Sequence, residues 1–307
     1  MKHRVIIFFL LLSVIQLDGK SAVTYNFSGG RFGDSLIAYC HAFWIAYIFD
    51  LDLLYKPFKY SEQMLMHETD TLYSNNSIQN YKQILHISHA FISGVQPDIL
   101  YIVPFFCESH IEHDDPRCPF LFQVDWKNKD FIKALKKRIA PKYQLSLPQL
   151  PDEGITIALH VRKGTGWDIP KFAPTFEKLT EMHPLKWPPD SYYIEQIKKL
   201  IEFFPNQKLY IYLFTDHDKP LEIIEKYQKI VNSPHIVWSC RQQENSQDLN
   251  VLEDFFALMQ FDCLIRNDSN FSIIASKLGD YQILIAPWGS KMNSGQIIID
   301  EVLIEAN

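Results

Sequence analysis

From residue 155 onward the chain alternates between two hydrophobic rhythms. Short apolar runs, expected to be strands buried on both faces, are separated by stretches whose apolar residues return every three or four positions, the period of a helix with one buried side. The series predicts a strand at Ile155–Val161, a helix at Ser191–Phe204, a strand at Leu209–Phe214, a helix at Pro220–Val231 with proline in its first turn, and a strand at His235–Ser239. A helix at Leu249–Gln260, a strand at Asp262–Ile265, a short helix at Phe271–Leu278 and a strand at Gln282–Ile285 continue it. Such alternation implies a doubly wound parallel sheet. The closing stretch Gly295–Glu305 is apolar enough to pack back on the body, as either a helix or a strand.

The first half opens with a strand at Ala22–Phe27, the loop Ser28-Gly-Gly-Arg-Phe-Gly33, and a helix capped by Asp34 or Ser35 that runs to Phe49. Strand, glycine loop and helix begin a mononucleotide-binding unit, although the third glycine of a dinucleotide fingerprint is missing. Further strands are expected at Leu51–Tyr55 and Ile99–Val103. An amphipathic helix at Asp130–Ile139 is followed by Pro141, Pro148 and Pro151, which break regular structure and place a domain boundary there. The expected division is an N-terminal α/β domain at 21–150 and a C-terminal Rossmann-like domain at 151–307. A cleft between them is the natural binding site.

Residues 1–20 are set aside from the fold. Lys2, His3 and Arg4 precede an apolar run from Val5 to Ile15 that fades through Leu17, the layout of a secretory signal or a short membrane anchor. The run is short against the roughly 20 residues of a full span. It predicts a secretory or membrane-associated location, or a cytoplasmic one if the segment is instead a buried element. At 307 residues and 47% hydrophobic, the chain can bury one large or two medium cores. A net charge of -6 without a long basic run excludes the electrostatic footprint of a nucleic-acid binder, so an anionic ligand has to be held locally.

Five cysteines are too few for a disulfide scaffold; in an exported chain Cys107 and Cys118 are the expected pair, and Asn26 and Asn75 head glycosylation triplets. Cys107, His110, His113 and Cys118 also present thiols and imidazoles for zinc, but at no familiar finger spacing, and a polar disulfide loop explains them equally. His86 and His89 read as incidental.

Candidate chemistry gathers at strand ends. The strand Ile155–Val161 delivers His160 and Arg162 into the loop Lys163-Gly-Thr-Gly-Trp-Asp168. Ligands collect where parallel strands end, and the planar fork of Arg162 suits two phosphate oxygens. The plain alternative is a surface arginine on a loop. Asp216 ends a strand, Asp254 lies in a helix and Asp168 follows Trp167; a helix cap, a solvated position and a turn explain them as readily. Asp268-Ser-Asn-Phe-Ser272 sets polar groups at a helix start, where backbone N–H groups attract anions. No nucleophile elbow, Walker loop or Asp-x-Asp metal motif is present.

Three of these segments, in this order, resemble the GDP-fucose-dependent fucosyltransferase superfamily of α-1,2, α-1,6 and protein O-fucosyltransferases. They are Gly29-Gly30-Arg31-Phe32-Gly33 before a long helix, His160-Val-Arg162-Lys-Gly164 with Trp167, and Asp254 to Ser272 with Phe214-Thr-Asp216 upstream. The resemblance implies a GT-B-like α/β architecture of two facing Rossmann-like domains. It implies that Arg162 binds the donor β-phosphate and stabilises departing GDP, and that His160 fixes the nucleotide or the arginine. Asp254 would accept from guanine, Ser269, Asn270, Phe271 and Ser272 would hold ribose and phosphates, Gly30, Arg31, Phe32 and Gly33 would lie on the donor, and Asp216 would serve the donor side. Where the family has Asn-Gln after the glycine, this chain has Asp34-Ser35, and Thr165 stands where the α-1,2 pattern has Asp. A carboxylate at 34 suits either a general base toward an acceptor hydroxyl or, by repelling the diphosphate, a different donor.

The resulting expectation is an inverting, metal-independent glycosyltransferase that moves a sugar, fucose first among them, from a GDP-sugar to a glycan or protein hydroxyl. Arg162 and Asp34 or Asp168 are its catalytic candidates, and no cofactor beyond the donor is required. Two other readings stand beside it: a non-catalytic glycan- or nucleotide-binding protein of the same fold, and an exported hydrolase using Asp34 and Asp168 as paired carboxylates.

Overall fold

A computed structural model describes residues 19–87, 96–105, 124–164, 175–246 and 248–306. The leader, the Cys107–Cys118 loop, His89 and Asp168 fall outside these residues. Strands β1 (Ala22–Tyr25), β2 (Asp52–Tyr55), β3 (Thr71–Leu72), β4 (Gln83–His86) and β5 (Ile99–Val103) form a parallel sheet in the order β3-β2-β1-β5-β4. A second sheet contains β6 (Ile155–Val161), β7 (Leu209–Thr215), β8 (Ile236–Cys240), β9 (Cys263–Ile265), β10 (Ile283–Asn293) and β11 (Gln296–Ala306), in the order β11-β10-β9-β6-β7-β8. All its pairs are parallel except β10 with β11. This is the GT-B-like α/β fold class expected from the sequence, with each sheet drawn from one side of residue 151.

The helices follow their local chemistry. Helix α1 (Phe32–Phe49) links β1 to β2; α2 (Met66–Thr69) and α3 (Asn75–Ile78) are single turns. Helix α4 (Lys129–Ile139) starts at Asn128, whose side chain accepts from Phe131 N–H, and ends in Lys136, Lys137 and Arg138, which complement the helix dipole. Helices α5 (Phe176–Met182), α6 (Asp190–Phe203), α7 (Pro220–Val231), α8 (Val251–Leu258) and α9 (Asn270–Leu278) complete the second half. Pro220 occupies the first turn of α7, where its missing N–H costs nothing.

Four details differ from the sequence reading. Helix α1 begins at Phe32 behind Arg31 without a side-chain cap, so neither Asp34 nor Ser35 is the cap: Asp34 lies in the first turn and bonds elsewhere. The strand expected at Gln282–Ile285 runs on to Asn293, and the closing stretch is its antiparallel partner. Ser294 and Gly295, both at positive φ, make the two-residue turn between them, the backbone twist that tight hairpins favour. Helix α5 and the edge strand β4, all of whose residues are exposed, carry too little periodicity to be read from sequence.

Helix α1 is long and apolar enough to cross a membrane, yet most of it is buried against the body. Its role in the fold is that of a core helix. One apolar cluster joins Val23 and Tyr101 of the first sheet through α1 to Leu258, Ile274 and Leu284 of the second half. A second cluster lies on the other face of the second sheet, between it and α6 and α7.

Strand order explains where a site can form. In the first sheet β1 has β2 on one side and β5 on the other; in the second, β6 lies between β7 and β9. Connections that leave neighbouring strands in opposite directions open a crevice at their carboxyl ends. The loops after β1, β6 and β9 are the three that hold the sequence motifs.

Candidate functional site

These loops surround a cavity of about 520 Å3, inside the range of roughly 300–1,000 Å3 typical of small-molecule sites. Residues Ser28 to Asp34, His160, Arg162, Asp216, Asp254 and Ser269 to Phe271 all line it. Sequence reasoning had proposed each of these positions except Ser28 and Gly29. Ser272 is not brought to the wall: it is fully buried, and its hydroxyl donates to the carbonyls of Asn267 and Ser269 behind the first turn of α9.

Two helix N-termini meet here, and glycine makes the meeting possible. A Cβ on Gly33 would stand 2.5 Å from the backbone nitrogen of Phe271, a contact of backbone against backbone with no flexible end to yield. The first turns of α1 and α9 therefore abut. Asp34 Oδ1 accepts a hydrogen bond from Asn270 Nδ2 across the junction. Neither helix has a side-chain cap bond, and no acidic residue lies in the first turn of α9. The N-terminus of α9, with its positive dipole end, thus faces the cavity without a side-chain cap. Phe32, Phe255 and Phe271 pack edge to face with ring centroids 5.4–6.1 Å apart beneath the junction.

Arg162 follows β6. It is half-buried, and among the described residues no carboxylate stands within ion-pair distance of it. Its Cζ lies over the ring of Trp187, 4.5 Å from the centroid. Burial lowers its pKa while Asp216 opposes the shift, but a guanidinium stays charged at neutral pH. It is not the solvated loop arginine of the plain reading.

Asp216 does not cap α7, whose N-terminus has no side-chain cap. Its Oδ1 accepts from the backbone N–H of Lys163 at 2.8 Å and of Gly164 at 2.7 Å. Glycine at 164 leaves room for this close approach: a Cβ there would stand 2.5 Å from Asp216 Oδ2. Lys163 itself reaches away to Asp190, which also accepts from Lys226 and Tyr227. The turn after β6 is therefore tied down on both sides of its backbone.

His160 precedes this turn, with its ring 5.7 Å from Phe271 and its carbonyl accepting from the buried Asn267 amide. Burial pushes its pKa down to about 4, with Arg162 and Arg266 adding to the shift and Asp216 opposing it. The imidazole is neutral at pH 7, which leaves Arg162 as the cation beside it. Asp254 is neither solvated nor alone: its Oδ1 accepts from Arg241 Nη2 at 2.8 Å. Burial raises its pKa and Arg241 counters that rise.

The residues missed by sequence reasoning are those that act through these groups. Trp187, Lys186 and His183 line the cavity, and Arg241 lies behind Asp254. Only a stray aromatic in Lys186-Trp-Pro-Pro189 hinted at the first. The arrangement as a whole can hold a polyanion at one point, between Arg162 and the start of α9, with a carboxylate on either side: Asp34 toward the first sheet and Asp254 toward α8.

No family model matches the sequence. Nor does any curated protein. Solved structures do match. One is an Arg-to-Lys variant of FUT1 from Arabidopsis thaliana in complex with GDP, with TM-score 0.51 and 13% identity over 88% of this chain and 71% of that one. Another is the fucosyltransferase NodZ from Bradyrhizobium, with TM-score 0.50 and 10% identity over 94% of this chain and 99% of that one. At such identities the likeness is one of fold: this chain is built on the same α/β architecture as these two proteins.

Proposed function

We propose that the chain is an inverting, metal-independent glycosyltransferase that transfers a sugar, fucose foremost, from a GDP-sugar to a hydroxyl of a glycan or protein. The observation that carries the reading is Arg162: a half-buried guanidinium that has no carboxylate at ion-pair distance among the described residues, in a cavity shared with the start of α9, which has no side-chain cap. A guanidinium beside a helix N-terminus is a site for a diphosphate. The division into an acceptor-side domain at 21–150 and a donor-side domain at 151–307 belongs to the same proposal.

In this reading the diphosphate lies between Arg162 and the backbone of Ser269 to Phe271, and the Gly30–Gly33 loop comes close because it carries little side chain. The other oxygen of Asp254 accepts from the base, and Arg241 holds that carboxylate in place. The acceptor oxygen attacks the anomeric carbon as the bond from that carbon to the β-phosphate oxygen breaks. The electron pair passes to the phosphate, where Arg162 meets the new charge, an interaction stronger in the transition state than before it. The acceptor proton passes to a carboxylate. Asp34 is the described candidate, held in place by Asn270, and Asp168 is the other.

Incubation with a panel of nucleotide sugars and mixed acceptors tests this. GDP-fucose should give transfer with inversion, and Arg162→Ala should lower kcat by about 100-fold or more while the far-UV spectrum is unchanged. GDP binding with neither transfer nor hydrolysis would instead favour the non-catalytic binding protein.

A further inference from the structure

We infer that Trp187 is the positioning residue of Arg162: it holds the guanidinium by its ring face, so that the side chain is fixed without its charge being cancelled. The inference rests on the proposed diphosphate site and adds the residue that prepares it. A cation that must receive an anion presents a conflict. A carboxylate would fix its side chain but would compete with the ligand for the same N–H groups. An aromatic face avoids the competition, because it attracts the cation from above and leaves the in-plane donors free.

The geometry around Trp187 meets that need from two directions. Its ring lies 4.5 Å from Arg162 Cζ, and its Nε1–H donates to the carbonyl of Gly164 at 3.2 Å. One side chain thus binds both the arginine and the backbone two residues beyond it. The N–H of the same Gly164 is held by Asp216, so the residue is bound through both its N–H and its carbonyl. Trp187 is itself packed in: it is only 1% exposed and sits in the turn just before α6, with the His183 ring 6.0 Å away. The two carboxylates nearest in charge to Arg162 are both engaged, Asp216 by backbone N–H groups and Asp34 by Asn270. Neither takes up the guanidinium.

Two experiments on the full chain separate this inference from the functional reading. The first uses no ligand: a double-mutant cycle in denaturant with Trp187→Leu, Arg162→Ala and both together. Direct stacking predicts non-additivity by a factor on the order of ten in the unfolding equilibrium. Additive effects overturn the inference, whatever the protein binds. The second is calorimetric titration with GDP. Trp187→Leu should weaken binding by roughly tenfold, Trp187→Phe should recover most of the loss because it restores the ring face without the Nε1–H, and Trp187→Leu should add nothing to Arg162→Ala. An equal loss from Trp187→Leu with and without Arg162 would show a merely structural role and overturn the inference. Should Trp187→Leu not fold, Trp187→Phe and Trp187→Tyr in the same cycle decide, since either must retain near-native affinity only while Arg162 is present. Absence of GDP binding by the unaltered protein defeats the functional proposal, and the ligand-free cycle then judges the stack by itself.

Discussion

At the scale of single residues the site is a set of charges in which, among the described residues, Arg162 meets no carboxylate at ion-pair distance. Asp216 does this by gripping backbone N–H groups of Lys163 and Gly164 instead of the guanidinium. Asp216→Ala should destabilise the fold by about 2–3 kcal/mol, since it leaves two partly buried donors unsatisfied, and should weaken GDP binding by misplacing Arg162; denaturant midpoints and titration check the two effects separately. His160 gives a pH signature. Its folded pKa of about 4 lies below the ordinary 6.5, so the unfolded chain takes up the proton first. Stability present above pH 6.5 is therefore expected to be lost as pH falls toward 4, and His160→Gln should flatten that part of the curve in urea titrations. His160 and Arg162 were legible in the sequence because a strand end followed by glycine constrains what its side chains face. Trp187 and Arg241 were not. Each matters only through a partner distant in sequence, which no local period reports.

At the scale of elements the decisive contact is between the first turns of α1 and α9. Gly33→Ala brings a methyl against the Phe271 backbone, which cannot turn aside as a side chain would. A loss of about 1–3 kcal/mol is expected, together with weaker GDP binding, because the two helix starts must separate. Unchanged stability in this variant would show that the helices do not abut. The strands β6 and β7 and the helix α7 could be read from sequence nearly to the residue because apolar runs and a first-turn proline mark them. The start of α1 could not, since Asp34 resembles a cap by type while its carboxylate is committed to Asn270. Nor could the length of β10, whose outer part is exposed and is held only by its hairpin partner.

At the scale of the molecule, two sheets are joined by one apolar cluster and by few polar ties. Lys59 pairs with Asp248 at 2.5 Å, and Tyr60 OH donates to the Asp248 carbonyl at 2.8 Å, linking the two halves at the surface. Both partners are more than half exposed, so Lys59→Met should change stability by less than about 1 kcal/mol. The continuous core carries the larger coupling, and calorimetric unfolding is expected to show one transition; two resolved transitions would mean that the halves fold separately. The doubly wound organisation was legible in the alternation of periods, whereas sheet order was not, because period says nothing about which strands become neighbours.

The claim on which all three scales depend is that Arg162 serves the terminal phosphate of a nucleoside diphosphate. Isothermal titration of GDP and GMP into the protein and into Arg162→Ala isolates that phosphate, because the two ligands differ in nothing else. The unaltered protein should prefer GDP by at least about tenfold, and the preference should disappear in the variant. An equal affinity for both ligands in the unaltered protein, or a preference that survives without the guanidinium, would contradict it.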